Sequence, residues 1–206
     1  MAKGYREAVL DPAKKDPSHP TNHGFKMQVH HLLSKQGIKK TGSGEKLKAY
    51  GYDINLPGNL VALPCTLEGA CHLQVQLHRG NHPAVIDTND NDDEHPKSYH
   101  KFVIKRVKDA YMTISKRCED KDNPGIQRYM DYHSLLVLRK IRSFDLPLTT
   151  VAKAFKSGGV GCLGATTVPE LKLKLEANPK ECTCNGRKHD KFSSFTEIPY
   201  NLERGK

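Results

Sequence analysis

Two adjacent histidines constrain this chain more than any other feature, because they stand in the run Val29-His30-His31-Leu32-Leu33. Residues 24–29 alternate apolar and polar side chains, which predicts a half-buried β-strand that delivers both imidazoles at its end. Consecutive strand residues point to opposite faces, so one ring can bind a metal ion while its neighbour faces a substrate. An imidazole with its ordinary pKa of about 6.5 can accept a proton at physiological pH.

More candidate ligands follow this strand. His78 and His82 stand four residues apart, and on one helical turn this spacing places both rings on the same face, where they can bind one ion. Gly80 lies between them and weakens a regular helix, so a frayed helix end is expected there. Asn59 precedes a second predicted strand over residues 60–63, and its amide can hydrogen-bond either the backbone or an imidazole.

The combination of these residues predicts a one-metal phosphodiesterase site. Cleaving a phosphodiester requires an activated water, a group that neutralises charge on the leaving oxygen, and a group that holds the phosphate. Any one of these histidines alone would be interpreted as an ordinary surface or core residue. Their order along the chain, with the asparagine segment between them, favours the metal site.

Composition supports a polyanionic partner and limits the other possibilities. The chain has 206 residues, enough for one globular domain, and its 33 Lys and Arg against 23 Asp and Glu give a net charge of +10. A basic balance is weak evidence when it stands alone. The first residues lack the apolar core of a signal peptide, and no stretch is long and apolar enough to span a membrane. The six cysteines form no obvious disulfide framework, which indicates free thiols and synthesis in the cytosol.

The chain is predicted to contain four regions. These are a flexible N-terminal tail or linker (1–24), a nuclease core (25–118), a helical extension (119–177) and a polar basic C-terminal segment (178–206). Residues 34–43 are predicted to be a basic loop, and the acidic run at 84–94 a solvated loop, because it lacks the glycine and glutamate positions of a calcium loop. Helices are predicted over residues 45–50, 67–77, 97–117, 124–143, 149–156 and 169–177.

Three segments carry a resemblance to the His-Me finger nucleases (ββα-metal, HNH and endonuclease VII-like), and within them to the AHH-type toxin nucleases. Residues 29–33 are similar to that branch's Ala-His-His-Ile-Val signature, with valine in place of the alanine. Residues 51–64 are similar to its Gly-Ile-Asp-Ile-Asn…Asn-Gly-Val-x-Leu-Pro segment. Residues 77–83 and 99–103 are similar to its last block, which the acidic run splits here. The resemblance covers about residues 25–110.

The resemblance implies a role for each candidate residue. His31 would be the general base that activates water, and Asn59 would orient it. The implied metal ligands are His30, His78 and His82, as in the related nuclease colicins, although His95 also satisfies the family's His-x-x-x-Tyr spacing and is an alternative to His82. The candidate phosphate or DNA contacts are Arg79, Lys35, Lys39 and Lys40, with a plain surface role as the alternative for the arginine.

The fold and function that the resemblance implies are an α+β ββα-metal nuclease core with a helical C-terminal extension, hydrolysing DNA with little sequence preference. One divalent cation would serve the site, and three imidazoles suit zinc or nickel, although magnesium works in related sites. This branch is typical of toxins delivered between bacteria by a secretion machine and neutralised by a cognate immunity protein. A ribonuclease toxin and a non-catalytic, metal-stabilised nucleic-acid-binding module are the alternatives.

The cysteines allow a second, weaker hypothesis. Cys182 and Cys184, with His189 nearby and with Cys162, have the residue types of a structural zinc site. Their spacing matches no strong zinc pattern, so free thiols in a polar tail are the favoured interpretation. Cys65 and Cys71 flank a predicted helix and are interpreted as ordinary buried thiols.

Overall fold

A computed structural model describes residues 4–79, 97–117, 124–177, 179–180, 182, 184 and 187–205. These residues form seven α-helices and a two-stranded antiparallel sheet. The mixture is compatible with the predicted α+β class. The elements are α1 (Tyr5–Lys15), β1 (Met27–His31), α2 (Lys35–Thr41), α3 (Gly44–Ala49), β2 (Leu60–Pro64), α4 (Leu67–Leu73), α5 (Lys97–Arg117), α6 (Pro124–Arg142) and α7 (Val168–Glu176).

The sheet separates two apolar layers. Its strands pair so that Met27 lies opposite Pro64 and His31 lies opposite Leu60. Because side chains alternate along each strand, every second residue faces α1 and the others face the main core. The apolar residues on the α1 side are Val29, Leu60 and Ala62, which pack with Val9. Val61 and Leu63 face the other way and belong to the main core. Most of the buried residues of α5 and α6 belong to the same core.

The prediction of a flexible tail over residues 1–24 is wrong for α1. Residues 5–15 form a helix, and Val9 and Ala13, one turn apart, are buried against the sheet. Pro12 lies inside this helix, and the prolines among the first 24 residues are what favoured the prediction of a flexible tail. Burial of the apolar pair on the sheet offsets the hydrogen bond that the proline removes.

The predicted basic loop over residues 34–43 is also wrong, because α2 occupies most of it. Ser34 caps this helix by accepting a hydrogen bond from the Gly37 backbone N–H at 3.0 Å. Gly37 is required for helix packing rather than for a loop. A Cβ at this position would lie 2.5 Å from Cγ1 of Val103 on α5, so only glycine allows the two helices to approach so closely.

The two long amphipathic helices are confirmed. α5 has the predicted bounds, and α6 ends one residue before its predicted end. The shorter elements deviate more. The helix predicted over residues 67–77 ends at Leu73, where Gln74 adopts a left-handed conformation, and residues 149–156 contain only a 3₁₀ turn at Ala152–Phe155. The acidic run at 84–94 lies outside the described residues.

The described part of the C-terminal segment packs on the core, although it was predicted to be polar. Phe192, Phe195 and Leu202 are buried in the main core. The Tyr200 backbone N–H donates to Leu73 O at 2.9 Å, and the Gly205 N–H donates to Leu60 O at 2.9 Å. The division into four regions stays a prediction. None of the helices in the described ranges is both apolar enough and long enough to cross a lipid bilayer.

Buried His133 predicts that acid destabilises the fold. This residue lies on the inward face of α6, and neither ring nitrogen has a hydrogen-bond partner among the described residues. Burial lowers the pKa of His133, the nearby Arg106 cation lowers it further, and Asp109 opposes them. The unfolded chain therefore takes up a proton at a higher pH, near 6.5, than the folded chain does. The stability that the neutral ring contributes is present above about pH 6.5 and is lost as the pH falls below it.

The measurement is the melting temperature of the protein and of a His133→Leu variant between pH 7.5 and about 5. The variant is expected to lose less stability on acidification, since it has no ring to protonate. Equal pH dependence in the two proteins would contradict a contribution from His133.

Candidate active site

The end of β1 places His30 and His31 on opposite sides of the sheet. His30 faces the main core, with 1% of its surface exposed, and its Nδ1 lies 3.0 Å from His78 Nε2. His78 was predicted on a helical turn, but it lies in an irregular segment after α4. Its backbone N–H donates to Pro64 O at the end of β2. The two strands of the sheet therefore hold the two rings together.

Two buried polar residues fix this pair in position. The Tyr99 hydroxyl lies 2.8 Å from His30 Nε2 and 3.2 Å from the carbonyls of His31 and Leu32, to which it can donate. Burial raises the pKa of Tyr99 above its usual range, so the hydroxyl stays neutral. Because the Tyr99 hydroxyl donates its hydrogen to a carbonyl, it accepts a hydrogen bond from the Nε2–H of His30. The lone pair of the His30 ring is then on Nδ1, which faces His78. Gln76 ties the segment before His78 to the C-terminal end of α6 by donating to Ile141 O at 2.7 Å.

The histidine pair fits two neighbouring positions on one metal ion. Imidazole nitrogens bind zinc at about 2.0–2.1 Å, so two of them on the same tetrahedral ion lie about 3.3–3.4 Å apart. The separation of 3.0 Å between His30 Nδ1 and His78 Nε2 is slightly shorter, so a small movement of either ring would place both nitrogens on one ion. The other predicted ligands, His82 and its alternative His95, lie outside the described residues. The Tyr99 hydroxyl occupies the place of the outer hydrogen-bond partner that a metal-binding histidine would need.

His31 has different surroundings from His30. It is half-buried, its Nε2 lies 3.1 Å from Asn55 Oδ1, and its ring centroid lies 4.6 Å from that of Tyr5 on α1. An amide oxygen only accepts hydrogen bonds, so Nε2 carries the proton and Nδ1 is the proton-accepting nitrogen. Asn55 is itself held by its backbone N–H, which donates to Asp53 Oδ1 at 2.8 Å.

Asn59 does not hydrogen-bond His31, and this corrects the expectation that it orients the base directly. The side chain is fully buried, and its Oδ1 accepts from the Leu33 N–H and the Ser134 hydroxyl, both at 2.8 Å. Its Nδ2 donates to Leu33 O at 3.2 Å and to Ile54 O at 2.9 Å. All four hydrogen-bonding positions of the amide are therefore used. Asn59 joins the backbone beyond His31 to the loop that carries Asn55, and so positions both indirectly.

Two of the four predicted phosphate contacts lie beside this site. Lys35, Lys39 and Lys40 are exposed on α2, which begins four residues after His31. The Lys35 Nζ lies 5.6 Å from the centroid of the Tyr5 ring, which in turn packs on His31. Arg79, next to His78, is half-buried. The structure therefore places Lys35 and Arg79 beside the histidines, and the phosphate contacts stay a prediction.

Sequence reasoning missed the roles of Tyr99 and Asn55. Tyr99 stands in the first turn of α5 and is fully buried, as is Val103. The apolar residues that predicted the buried face of this helix began only at Phe102. Asn55 lay within the segment that matched the family signature, where only Asn59 was singled out. The contact between the Asn55 amide and His31 depends on the turn at Asp53, which no periodic pattern records.

Comparison with known proteins identifies the family. Residues 12–141, more than half of the chain, match the family described as "AHH: a nuclease family of the HNH/ENDO VII superfamily with conserved AHH". Neither curated proteins nor solved structures gave a match. The match includes the strand with the two histidines, the loop of Asn55 and Asn59, and His78. The chain therefore belongs to the AHH family of nucleases, within the HNH/endonuclease VII superfamily.

Proposed function

We propose that this nuclease is a metal-dependent endonuclease that hydrolyses DNA with low sequence specificity. The observation that carries the proposal is the arrangement at the end of β1. His30 meets His78 at 3.0 Å on one side, and His31 meets Asn55 at 3.1 Å on the other. This arrangement separates the residues that would hold a cation from the residue that would accept a proton. A single-metal phosphodiesterase needs this division of roles.

His31 acts as the general base in this proposal. Its Nδ1 takes a proton from the attacking water, while Asn55 holds the protonated Nε2 and so keeps the ring in one tautomer and orientation. His30 and His78 would hold the cation, with His82 or His95 as a candidate for a further position. When bound, a divalent cation polarises the scissile phosphate and stabilises the departing oxyanion.

The low sequence specificity is argued from the type of cation near the site. Lys35, Lys39 and Lys40 are flexible point charges on the surface of a helix, suited to phosphates rather than to base edges. Contacts to phosphate position a nucleic acid but carry no sequence information. The net charge of +10 adds attraction for the backbone of any sequence, and binding should weaken as salt is raised.

The biological role that we propose is that of an antibacterial toxin, delivered into another cell by a secretion system. Its producer would then need a cognate immunity protein. Electrostatic complementarity predicts an acidic partner that covers the lysines of α2 beside His31. The resemblance to AHH-type toxin nucleases supports this role.

Cleavage of plasmid DNA tests the proposal. The purified chain, stripped with a chelator and then supplied separately with magnesium, manganese, nickel or zinc, is expected to nick and linearise plasmid only when a divalent ion is present. Plasmids of unrelated sequence should be cut at similar rates. A structured RNA incubated under the same conditions is the comparison substrate.

The outcomes distinguish the alternatives. Cleavage of RNA with plasmid left intact would replace the proposal by a ribonuclease, since a histidine base can also deprotonate a 2′-hydroxyl. Cleavage that persists in excess chelator would refute metal dependence. Binding of either nucleic acid without cleavage, with every ion, would favour a non-catalytic binding module.

A further inference from the structure

Four cysteines that are distant in the sequence converge at one place in the fold. Cys71 lies on α4, Cys162 follows the 3₁₀ turn, and Cys182 and Cys184 lie in the C-terminal segment. Their sulfur atoms all lie within 4.8 Å of one another, and we name them the cysteine cluster. Cys71 and Cys162 are buried, and the other two are half-buried. Cys65, by contrast, is not among them and its thiol donates to Lys26 O.

The separations within the cysteine cluster match those of thiolates around a tetrahedral ion. Cys184 Sγ lies 3.7 Å from Cys71 Sγ and 3.7 Å from Cys162 Sγ. Thiolates bound to zinc at about 2.3 Å are separated by about 3.8 Å, the edge of the tetrahedron. The structure joins Cys182 and Cys184 by a disulfide, although free thiols were the favoured prediction for this pair. A disulfide between these two is therefore the competing arrangement.

Hydrogen-bond donors surround the sulfurs. The Cys162 backbone N–H points at Cys71 Sγ at 3.3 Å, and the Leu163 N–H points at Cys182 Sγ at 3.2 Å. His189 Nε2 lies 3.6 Å from Cys162 Sγ, within reach of a further hydrogen bond. Donors of this kind stabilise thiolates, because they bond the charged form more strongly than the neutral thiol.

A buried cation lies beside the cysteine cluster. The Arg187 guanidinium, in a residue only 9% exposed, donates to the carbonyls of Cys71, Phe155, Lys156 and Gly159. It joins the C-terminal segment to α4 and to the loop before Cys162. Four thiolates around a divalent ion leave a net negative charge, and a fixed arginine nearby partly neutralises it.

Gly161 lies against the sulfurs at a position where a side chain would not fit. Its φ of +77° is a conformation that other residues rarely adopt. A Cβ here would lie 2.7 Å from Cys71 Sγ and 3.1 Å from Cys182 Sγ. The chain thus passes against the cysteine cluster at a position where a side chain would collide with it.

We propose that Cys71, Cys162, Cys182 and Cys184 bind a structural zinc ion, separate from the histidine site. Four thiolates close the coordination sphere, which is typical of structural zinc and leaves no position for a substrate. The ion would join α4, the loop at 162 and the C-terminal segment. Buried apolar residues that cluster with Cys71 and Cys162, including Leu67, Phe155 and Leu171, form the adjoining core.

The test is zinc retained by the full chain purified under reducing conditions, counted by mass spectrometry of the metal. The wild-type protein and a His78→Ala variant are both expected to hold about one tightly bound zinc per chain. A Cys162→Ser variant should lose it, while Cys65→Ser, the matched cysteine control outside the cluster, should keep it. Exchange of the ion for cobalt should produce the strong near-ultraviolet absorption of thiolate-to-cobalt charge transfer.

Three results would overturn the proposal. Zinc lost from His78→Ala but kept in Cys162→Ser would assign it to the histidines. Wild-type protein that holds no zinc, and that has two fewer titratable thiols than cysteines when it is purified without reductant, would assign Cys182 and Cys184 to a disulfide. A cobalt-loaded wild type without thiolate charge transfer would exclude sulfur ligands, and this result stands even if the Cys162→Ser protein does not fold.

Discussion

The His31→Ala variant should cleave plasmid DNA about 10²–10⁴ times more slowly than the wild type, the range by which a positioned general base accelerates a reaction. The ring contacts Asn55 and Tyr5 at a half-buried position and supports none of the buried hydrogen bonds of Asn59. The variant should therefore fold and bind metal. Single-turnover cleavage rates, circular dichroism and metal content together measure this.

Two further variants show whether the loss comes from proton transfer. Asn55→Ala should reduce the rate by a smaller factor, about 10- to 100-fold, and shift the pH profile, because the ring loses the partner that fixes its tautomer. His23→Ala is the matched control, since this histidine bonds Ser194 and Pro17 O rather than any site residue. A His31→Ala protein as active as the wild type would refute the base assignment.

Asn59→Ala is expected to lower the free energy of unfolding by about 3–5 kcal/mol, the largest stability effect predicted for this chain. The amide makes four hydrogen bonds inside the protein, and its removal leaves the Leu33 N–H and the Ile54 carbonyl buried without this partner. Urea denaturation of the two proteins measures the difference. Zinc or another ion should be held at the same concentration throughout, since binding also adds stability.

The control for this prediction is Asn201→Ala. Asn201 is exposed, and its amide donates to Glu203 Oε1 at 3.5 Å. A surface substitution of this kind usually changes stability by less than about 0.5 kcal/mol. If Asn59→Ala is no less stable than Asn201→Ala and yet loses cleavage, Asn59 acts on the chemistry rather than on the fold.

The elements predicted best from the sequence were those with a long periodic pattern. α5 and α6 are long enough that the spacing of their apolar residues identifies a helix and its buried face. The strands followed from alternation and from Pro64 at the end of β2. The pairing of His30 with His78 was expected from the resemblance to the His-Me finger nucleases, which implied that both are ligands of one metal ion.

The parts that were not predicted depend on contacts between distant segments. Gly37 and Pro12 are loop signals in a local pattern, yet the packing of α2 on α5 and of α1 on the sheet determines the conformation at both positions. The convergence of Cys71 with Cys162 spans 91 residues, as the hydrogen bond between them records. Such a pair has no fixed spacing, so no motif could indicate it.

The residues after 200 have a consequence for folding during synthesis. Arg204 donates to the carbonyls of Gly58 and Asp131, and it forms a β-bridge with Val61 of β2. While the ribosome still holds these residues, the outer edge of β2 lacks its neighbour, and the strand that carries His30 and His31 pairs with an incompletely supported partner. The support that Arg204 gives to β2 and to the carbonyls of Gly58 and Asp131 therefore forms only after residue 204 has emerged from the exit tunnel.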